Sequence, residues 1–199
     1  REQTPLQDLR PILIIAPTGL LNNWIKEITD HLGLEGLGEI EEAFGSGLRQ
    51  LRTGSQKGKD TDHGIAMLDV QRLRQAHLIL TTYESLRDYQ VSFSQLDLDC
   101  VVFDEIQKTK NPKSLLSCSA RSLKGKFQIG LSGTPVENSL ADLWTILDVI
   151  APGMLSYTLK EFLSLYDEDP DPEDPNAKEA LEKLQGQLLK PENNELPLI

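Results

Sequence analysis

Residues 11–16, Pro-Ile-Leu-Ile-Ile-Ala, form an unbroken apolar run. Runs of this length mark strands buried on both faces of a parallel sheet. Pro17-Thr18-Gly19 ends the run. Over residues 20–32 the apolar positions Leu20, Leu21, Trp24, Ile25, Ile28 and Leu32 recur at helical spacing, with Thr18 placed to cap the N-terminus. The unit reads as strand, turn, helix.

The same alternation continues along the chain. Residues 39–44 are predicted as a short strand despite their acids, and residues 77–82 as another strand, with a helix starting at Tyr83. Residues 99–103 form a third apolar run that stops at Asp104-Glu105, and residues 127–132 a fourth that stops at Gly133-Thr134-Pro135. Between the strands, residues 65–74 supply a helical turn or two. Residues 115–123 are predicted as a helix started by Asn111-Pro112, and Leu140, Leu143, Trp144, Leu147 and Ile150 mark an amphipathic helix ended by Pro152-Gly153. Residues 45–64 have no apolar periodicity and are rich in Gly, Ser, Arg and Lys, which predicts a mobile surface loop. Strands alternating with helices imply an α/β fold, an open and mostly parallel sheet with flanking helices, over residues 1–152. Residues 153–199 read as a helical extension, with helices at 159–166 and 177–189 separated by an acidic, proline-rich loop. No internal repeat is present.

Composition narrows the picture. A chain of 199 residues that is 39% hydrophobic and 26% charged suits a globular domain with one substantial core. Its longest apolar runs fall far short of the roughly 18 residues needed to cross a membrane, which excludes a membrane partner. The two cysteines, Cys100 and Cys118, have no metal-ligand spacing and read as incidental thiols. A net charge of -11 disfavours general polyanion binding. Much of that acid is segregated into residues 167–174, so it does not exclude nucleic acid elsewhere.

The candidate chemistry lies at the strand ends. Parallel strands deliver their C-terminal ends to one edge of the sheet, where open α/β folds bind ligands. Asp104-Glu105 supplies two adjacent carboxylates there. One can hold Mg²⁺, usually through water, and the other can orient or deprotonate a water that attacks a γ-phosphate.

Four segments in order raise this from a short motif to a pattern. Residues 14–24, residues 80–86, Asp104-Glu105-Ile106-Gln107 with Lys110-Asn111, and residues 131–140 running into Leu143-Trp144 resemble motifs Ia, Ib, II and III of the Swi/Snf-type helicase-like ATPases, which are double-stranded DNA translocases. The resemblance covers residues 11–152 and implies a RecA-like lobe. It further implies that Asp104 coordinates the Mg²⁺ of MgATP and Glu105 activates the hydrolytic water. Gln107 and the turn Ser132, Gly133 and Thr134 would couple the nucleotide state to movement against a second RecA-like lobe. Pro17, Thr18, Thr81, Thr82, Lys110 and Asn111 would lie along double-stranded DNA, whose bound proteins are further candidate partners. Thr18 suits a helix cap as well, and Thr82 a strand end. Trp24 and Trp144 sit at helical core spacing, which favours packing over base stacking. Arg49, Arg52, Lys57 and Lys59 read as a solvated loop ahead of a DNA contact.

Two departures from the family pattern stand out. Ile106 occupies a position where the family usually has a small residue. The phosphate-binding loop expected before motif Ia does not occur in these residues, and Gly58-Lys59 and Gly125-Lys126 lack the Ser or Thr that would follow. The chain is therefore expected to be an excised part of a longer ATP hydrolase and inactive alone. The bacterial cytoplasm is favoured over a nucleus, since no basic targeting cluster occurs. A degenerate lobe acting as an interaction module, and a lobe of another helicase-superfamily motor such as a restriction-enzyme subunit, are the alternatives.

Overall fold

A computed structural model describes residues 10–32, 38, 40–53, 58–133, 140–155 and 158–166. The elements in chain order are β1 (Ile12–Ala16), α1 (Thr18–Leu32), β2 (Ile40–Ala43), α2 (Gly45–Gln50), α3 (Asp60–His63), α4 (Val70–Gln75), β3 (Leu78–Thr82), α5 (Tyr83–Asp88) and α6 (Gln90–Phe93). They continue with β4 (Asp97–Asp104), a 3-10 turn (Ile106–Thr109), α7 (Leu115–Arg121), β5 (Lys124–Leu131), α8 (Leu140–Ile150) and α9 (Leu159–Tyr166). The chain divides into a unit of residues 1–154 and a second of residues 155–199.

The five strands form one sheet in the order β2-β3-β1-β4-β5, every neighbouring pair parallel. The apolar run at residues 12–16 thus becomes the central strand, with Leu13, Ile15 and Ala16 wholly buried. Alternation assigns its side chains to two cores. Leu13 and Ile15 join Ile79, Val101 and Phe103 in a core completed by Leu86, Phe93, Ala120, Ile146 and Val149 from the helices. Ile14 and Ala16 join Leu78, Leu80 and the α1 residues Leu21 and Ile28 in the other. β5 is an edge strand, and on it Phe127, Ile129 and Leu131 remain 66%, 46% and 40% exposed. No helix among the described residues is long and apolar enough to cross a membrane.

Two expectations change on folding. Residues 45–64 are not a featureless loop: α2 and α3 lie within them, and Arg52 bridges to Leu68 in antiparallel fashion. The anchor that sequence periodicity misses is Asp60, which is wholly buried. Its Oδ1 accepts from the Met67 amide at 2.8 Å and its Oδ2 from the Ser92 amide at 2.5 Å. One side chain thus satisfies two buried backbone donors, of which the Met67 amide also reaches Ser92 Oγ at 3.2 Å. Two of the basic residues, Arg52 and Lys59, are engaged within the fold. The Arg52 guanidinium stacks over the Tyr89 ring at 5.7 Å, and Lys59 pairs with Asp88 at 2.7 Å. Lys57 lies outside the described residues.

The second change concerns Thr18, which is the first residue inside α1 rather than its cap. Pro17 precedes the helix, and its carbonyl accepts from the Leu20 amide at 2.8 Å. In the short strand β2, two acids are tolerated because one is neutralised. Glu41 is 5% exposed and accepts two hydrogen bonds from Arg72, at 2.7 and 3.0 Å. In the second unit, Thr158 and Glu161 form a reciprocal cap on α9, the Thr158 amide donating to Glu161 Oε2 at 2.8 Å. That bond to the backbone holds the Glu161 carboxyl below its usual range. The helix expected at 177–189 lies outside the described residues.

Candidate active site

Sheet order decides which strand ends meet. The ends of β3, β1, β4 and β5 are consecutive along the C-terminal edge, so Thr81-Thr82, Pro17-Thr18, Asp104-Glu105 and Ser132-Gly133 follow one another along it. Asp104 is the last residue of β4 and is half-buried. Its register partner on β5 is Leu131, so Ser132 leaves the sheet beside Glu105.

The two acids are held differently. Asp104 is gripped at both its side chain and its main chain. Trp24 Nε1 donates to Asp104 Oδ2 at 2.8 Å, and the Tyr83 hydroxyl donates to the Asp104 carbonyl at 2.8 Å. Among the described residues nothing donates to Oδ1, which leaves one carboxylate oxygen for a hydrated cation. Burial, and secondarily the charges of Asp104 and Glu105, push the Tyr83 hydroxyl far above its ordinary range, so it remains a donor at any physiological pH.

Glu105 has φ 58° and ψ 51°, the single non-glycine residue in the left-handed region among those described. That conformation is costly for a residue with a Cβ and tends to be retained at functional sites. It turns the chain sharply off β4 into the 3-10 turn and brings Gln107 back toward the acid. Gln107 Nε2 donates to Glu105 Oε2, and Gln107 Oε1 accepts from the Ser132 hydroxyl at 2.8 Å. A three-residue chain therefore runs from the end of β5 to the second carboxylate. The turn is secured from below. Thr109 Oγ1 donates to the Ile106 carbonyl at 2.8 Å, and Ser117 on α7 donates to the Thr109 carbonyl.

The donor set fits a magnesium nucleotide. No group of three or more His, Cys, Asp or Glu among the described residues could cage a metal. Magnesium is ordinarily held by one or two carboxylates, with water and substrate phosphates completing its shell. Asp104, oriented and with one oxygen open, meets that requirement.

The other candidates fall into two groups. Pro17 is half-buried, and Thr18 and Gly19 are exposed at the start of α1. Lys110 is half-buried, and Asn111 is exposed, its Oδ1 accepting from the Lys113 amide at 3.1 Å in a turn that leads into α7. Thr81 and Thr82 behave otherwise. Thr81 is wholly buried and its hydroxyl donates to the Ala43 carbonyl at 2.9 Å, tying β3 to β2. Thr82 is 5% exposed and caps α5, accepting from the Ser85 amide at 3.0 Å. Both hydroxyls are thus engaged in hydrogen bonds within the fold. Thr134 lies outside the described residues, while Ser132 and Gly133 are within them.

The sequence profile of the SNF2-related domain matches residues 2–192. The chain belongs to that family. Among curated relatives, the Zorya protein ZorD of Escherichia coli is 35% identical over 92% of this chain, which spans 17% of that protein. The mouse DNA excision repair protein ERCC-6-like 2 is 28% identical over 78% of this chain, which spans 9% of it. Among solved structures, the Sulfolobus solfataricus SWI2/SNF2 ATPase core in complex with dsDNA aligns with TM-score 0.64 at 28% identity, covering 88% of this chain and 32% of that one. The five-stranded parallel sheet thus matches the RecA-like lobe of the SWI2/SNF2 ATPase core, and family membership implies nucleotide use.

Two residues at the site were not predicted from sequence. Helical core spacing points Trp24 to packing, and the strand end points Tyr83 only to a helix start. Trp24 does pack, against the α1 core, but its indole N–H serves Asp104 at the same time. The legible signal was that buried Tyr and Trp need partners for their polar atoms.

Proposed function

We propose that the chain is the part of an ATP-dependent DNA translocase that carries the hydrolytic acids and one side of the DNA track. Asp104 would hold Mg²⁺ of MgATP and Glu105 would activate the attacking water. Gln107 with Ser132, Gly133 and Thr134 would report the nucleotide state to a second RecA-like lobe of the same protein. Pro17, Thr18, Lys110 and Asn111 would lie against the backbone of double-stranded DNA, which binds through phosphates without reading sequence. The task would be performed on chromosomal DNA, in the cytoplasm of a bacterial host, where DNA-bound proteins are the objects it meets.

The observation that carries this reading is the hydrogen-bonded series Ser132–Gln107–Glu105 beside an Asp104 with one open carboxylate oxygen. Such an arrangement orients an acid for in-line attack by water and links it to a neighbouring strand end, which a bare pair of surface acids would not do. The test is Glu105→Gln in the full-length protein. DNA-dependent ATP hydrolysis should fall by a factor on the order of a thousand or more while nucleotide binding persists, the loss expected when a water-positioning base is removed. Turnover within tenfold of the parent would overturn the assignment.

A further inference from the structure

Two features converge on Asp104 that hydrolysis alone does not require. Two of the three strand ends that precede it in sequence, those of β1 and β3, send an aromatic hydrogen-bond donor to that one residue. From the end of β1, α1 carries Trp24 to the carboxylate. From the end of β3, the first residue of α5, Tyr83, reaches the carbonyl. The two donors lie 80 and 21 positions from Asp104 in sequence, so folding alone brings them together.

Neither group can do the chemistry itself. An indole N–H donates and cannot accept, so Trp24 can neither ligate a cation nor take a proton from water. Tyr83 stays protonated, and its oxygen points at a main-chain carbonyl rather than at the site. What both can do is fix geometry. The Trp24 ring is packed among the partly buried residues around Ile14, Leu21 and Leu80, so its N–H has little freedom to follow a wandering carboxylate. A charge-assisted bond from a fixed donor therefore selects one orientation of Asp104 and keeps Oδ2 occupied. Trp24 lies six residues after Thr18 in one continuous helix, about 9 Å along its axis. A displacement of the exposed start of α1 would reach Trp24 through this one helix.

We propose that Trp24 is a positioning residue through which engagement of a DNA backbone at the start of α1 sets the orientation of the Asp104 carboxylate, while Tyr83 holds the main chain of the same residue. This rests on the translocase reading, since it takes Pro17 and Thr18 as part of the DNA track. Polarised metal binding would then depend on DNA, and the route would run through α1 rather than through the Gln107–Ser132 series.

The test uses tryptophan emission in the 199-residue chain, which has only two tryptophans. In Trp144→Phe, Trp24 is the sole reporter of its own hydrogen bond. Adding a short fluorescein-free DNA duplex at low ionic strength should shift Trp24 emission, and Asp104→Ala in the same background should abolish the shift while duplex binding, followed separately by sedimentation, persists. Binding of the duplex with no change in Trp24 emission overturns this proposal and leaves the translocase reading standing. Failure to bind any duplex counts against the translocase reading, and the proposal falls with it. A kinetic arm in the full-length protein separates orientation from packing. Trp24→Phe keeps an aromatic, though smaller, side chain and deletes the N–H, and should lower DNA-stimulated kcat about tenfold, the value of one hydrogen bond to a charged group, with KM for ATP unchanged. A structural role alone would lower the thermal midpoint and leave kcat of the folded fraction as it was, which would equally overturn the proposal.

Discussion

A Cβ placed on Gly130 would lie 2.8 Å from Ile106 Cδ1 and 3.1 Å from Ile150 Cγ2, so the glycine in β5 is the space into which Ile106 projects. Ile106 is 1% exposed there. The bulky residue after the acidic pair, a departure from the family pattern, is accommodated by a glycine on the adjacent strand. The turn keeps its geometry because the volume is surrendered on β5 instead.

Gly130→Ala should therefore destabilise the chain by about 1–3 kcal/mol through overpacking. Ile106→Val removes Cδ1 and alone should cost about 0.5–1.5 kcal/mol. Combined, the two changes should cost clearly less than their sum in urea denaturation, since the valine vacates the atom nearest the new methyl. Strict additivity would refute the space-sharing account.

Glu105 bears a backbone cost that glycine would not. At φ 58° a Cβ crowds the chain, a penalty of about 1 kcal/mol or more. Glu105→Gly should raise folding stability by about 1 kcal/mol while removing the carboxylate from the site. Calorimetry on the two chains checks this, and a lower midpoint for the glycine variant would mean that the Gln107 bond outweighs the strain.

The Glu41–Arg72 pair supports β2 rather than the site. Arg72→Met leaves a buried carboxylate without its two donors and should cost about 2 kcal/mol, discounted from the fully buried case because the Arg72 side chain is 44% exposed. Glu41→Met in the same chain should recover most of that loss, because the penalty lies in the unpaired acid. Equal losses in the single and double variants would show that packing, not charge, is at stake.

Acid should weaken the fold partly through Asp88. Burial acts to raise its carboxyl, but hydrogen bonds and charge from Lys59 and Arg87 outweigh it and hold the group below the ordinary carboxylate range. A depressed carboxyl contributes stability that is present above its unfolded value of about 3.9 and is lost as pH falls through its lower folded value. Asp88→Asn should be less stable than the parent at pH 6, with the difference closing below about pH 4. A gap that stays constant with pH would exclude the linkage.

How much of this was legible before folding differs from element to element. Residues 12–16 and 78–80 are apolar throughout, and α1 repeats its apolar positions every three to four residues, so local pattern alone identified them and their alternation. The motif order carried Asp104, Glu105, Gln107 and Ser132 to one edge, since every parallel strand ends on the same side. α3 was not legible, because its anchor, Asp60, is a charged residue satisfied by amides up to 32 positions away. The fates of Thr81 and Thr82 were undecided too, since a hydroxyl at a strand end suits a neighbour's carbonyl, a cap or a phosphate equally well in sequence.

Local periodicity thus determined which segments are strands and helices and which end of each carries polar residues, because those depend on neighbours a few positions apart. Only the tertiary structure decided the strand order β2-β3-β1-β4-β5, and with it the grip of Trp24 and Tyr83 on Asp104 and the space Gly130 yields to Ile106. Those contacts join residues 21, 24 and 80 positions apart, and hydrogen-bond reach of about 3 Å is a property of the folded arrangement that no pattern along the chain encodes.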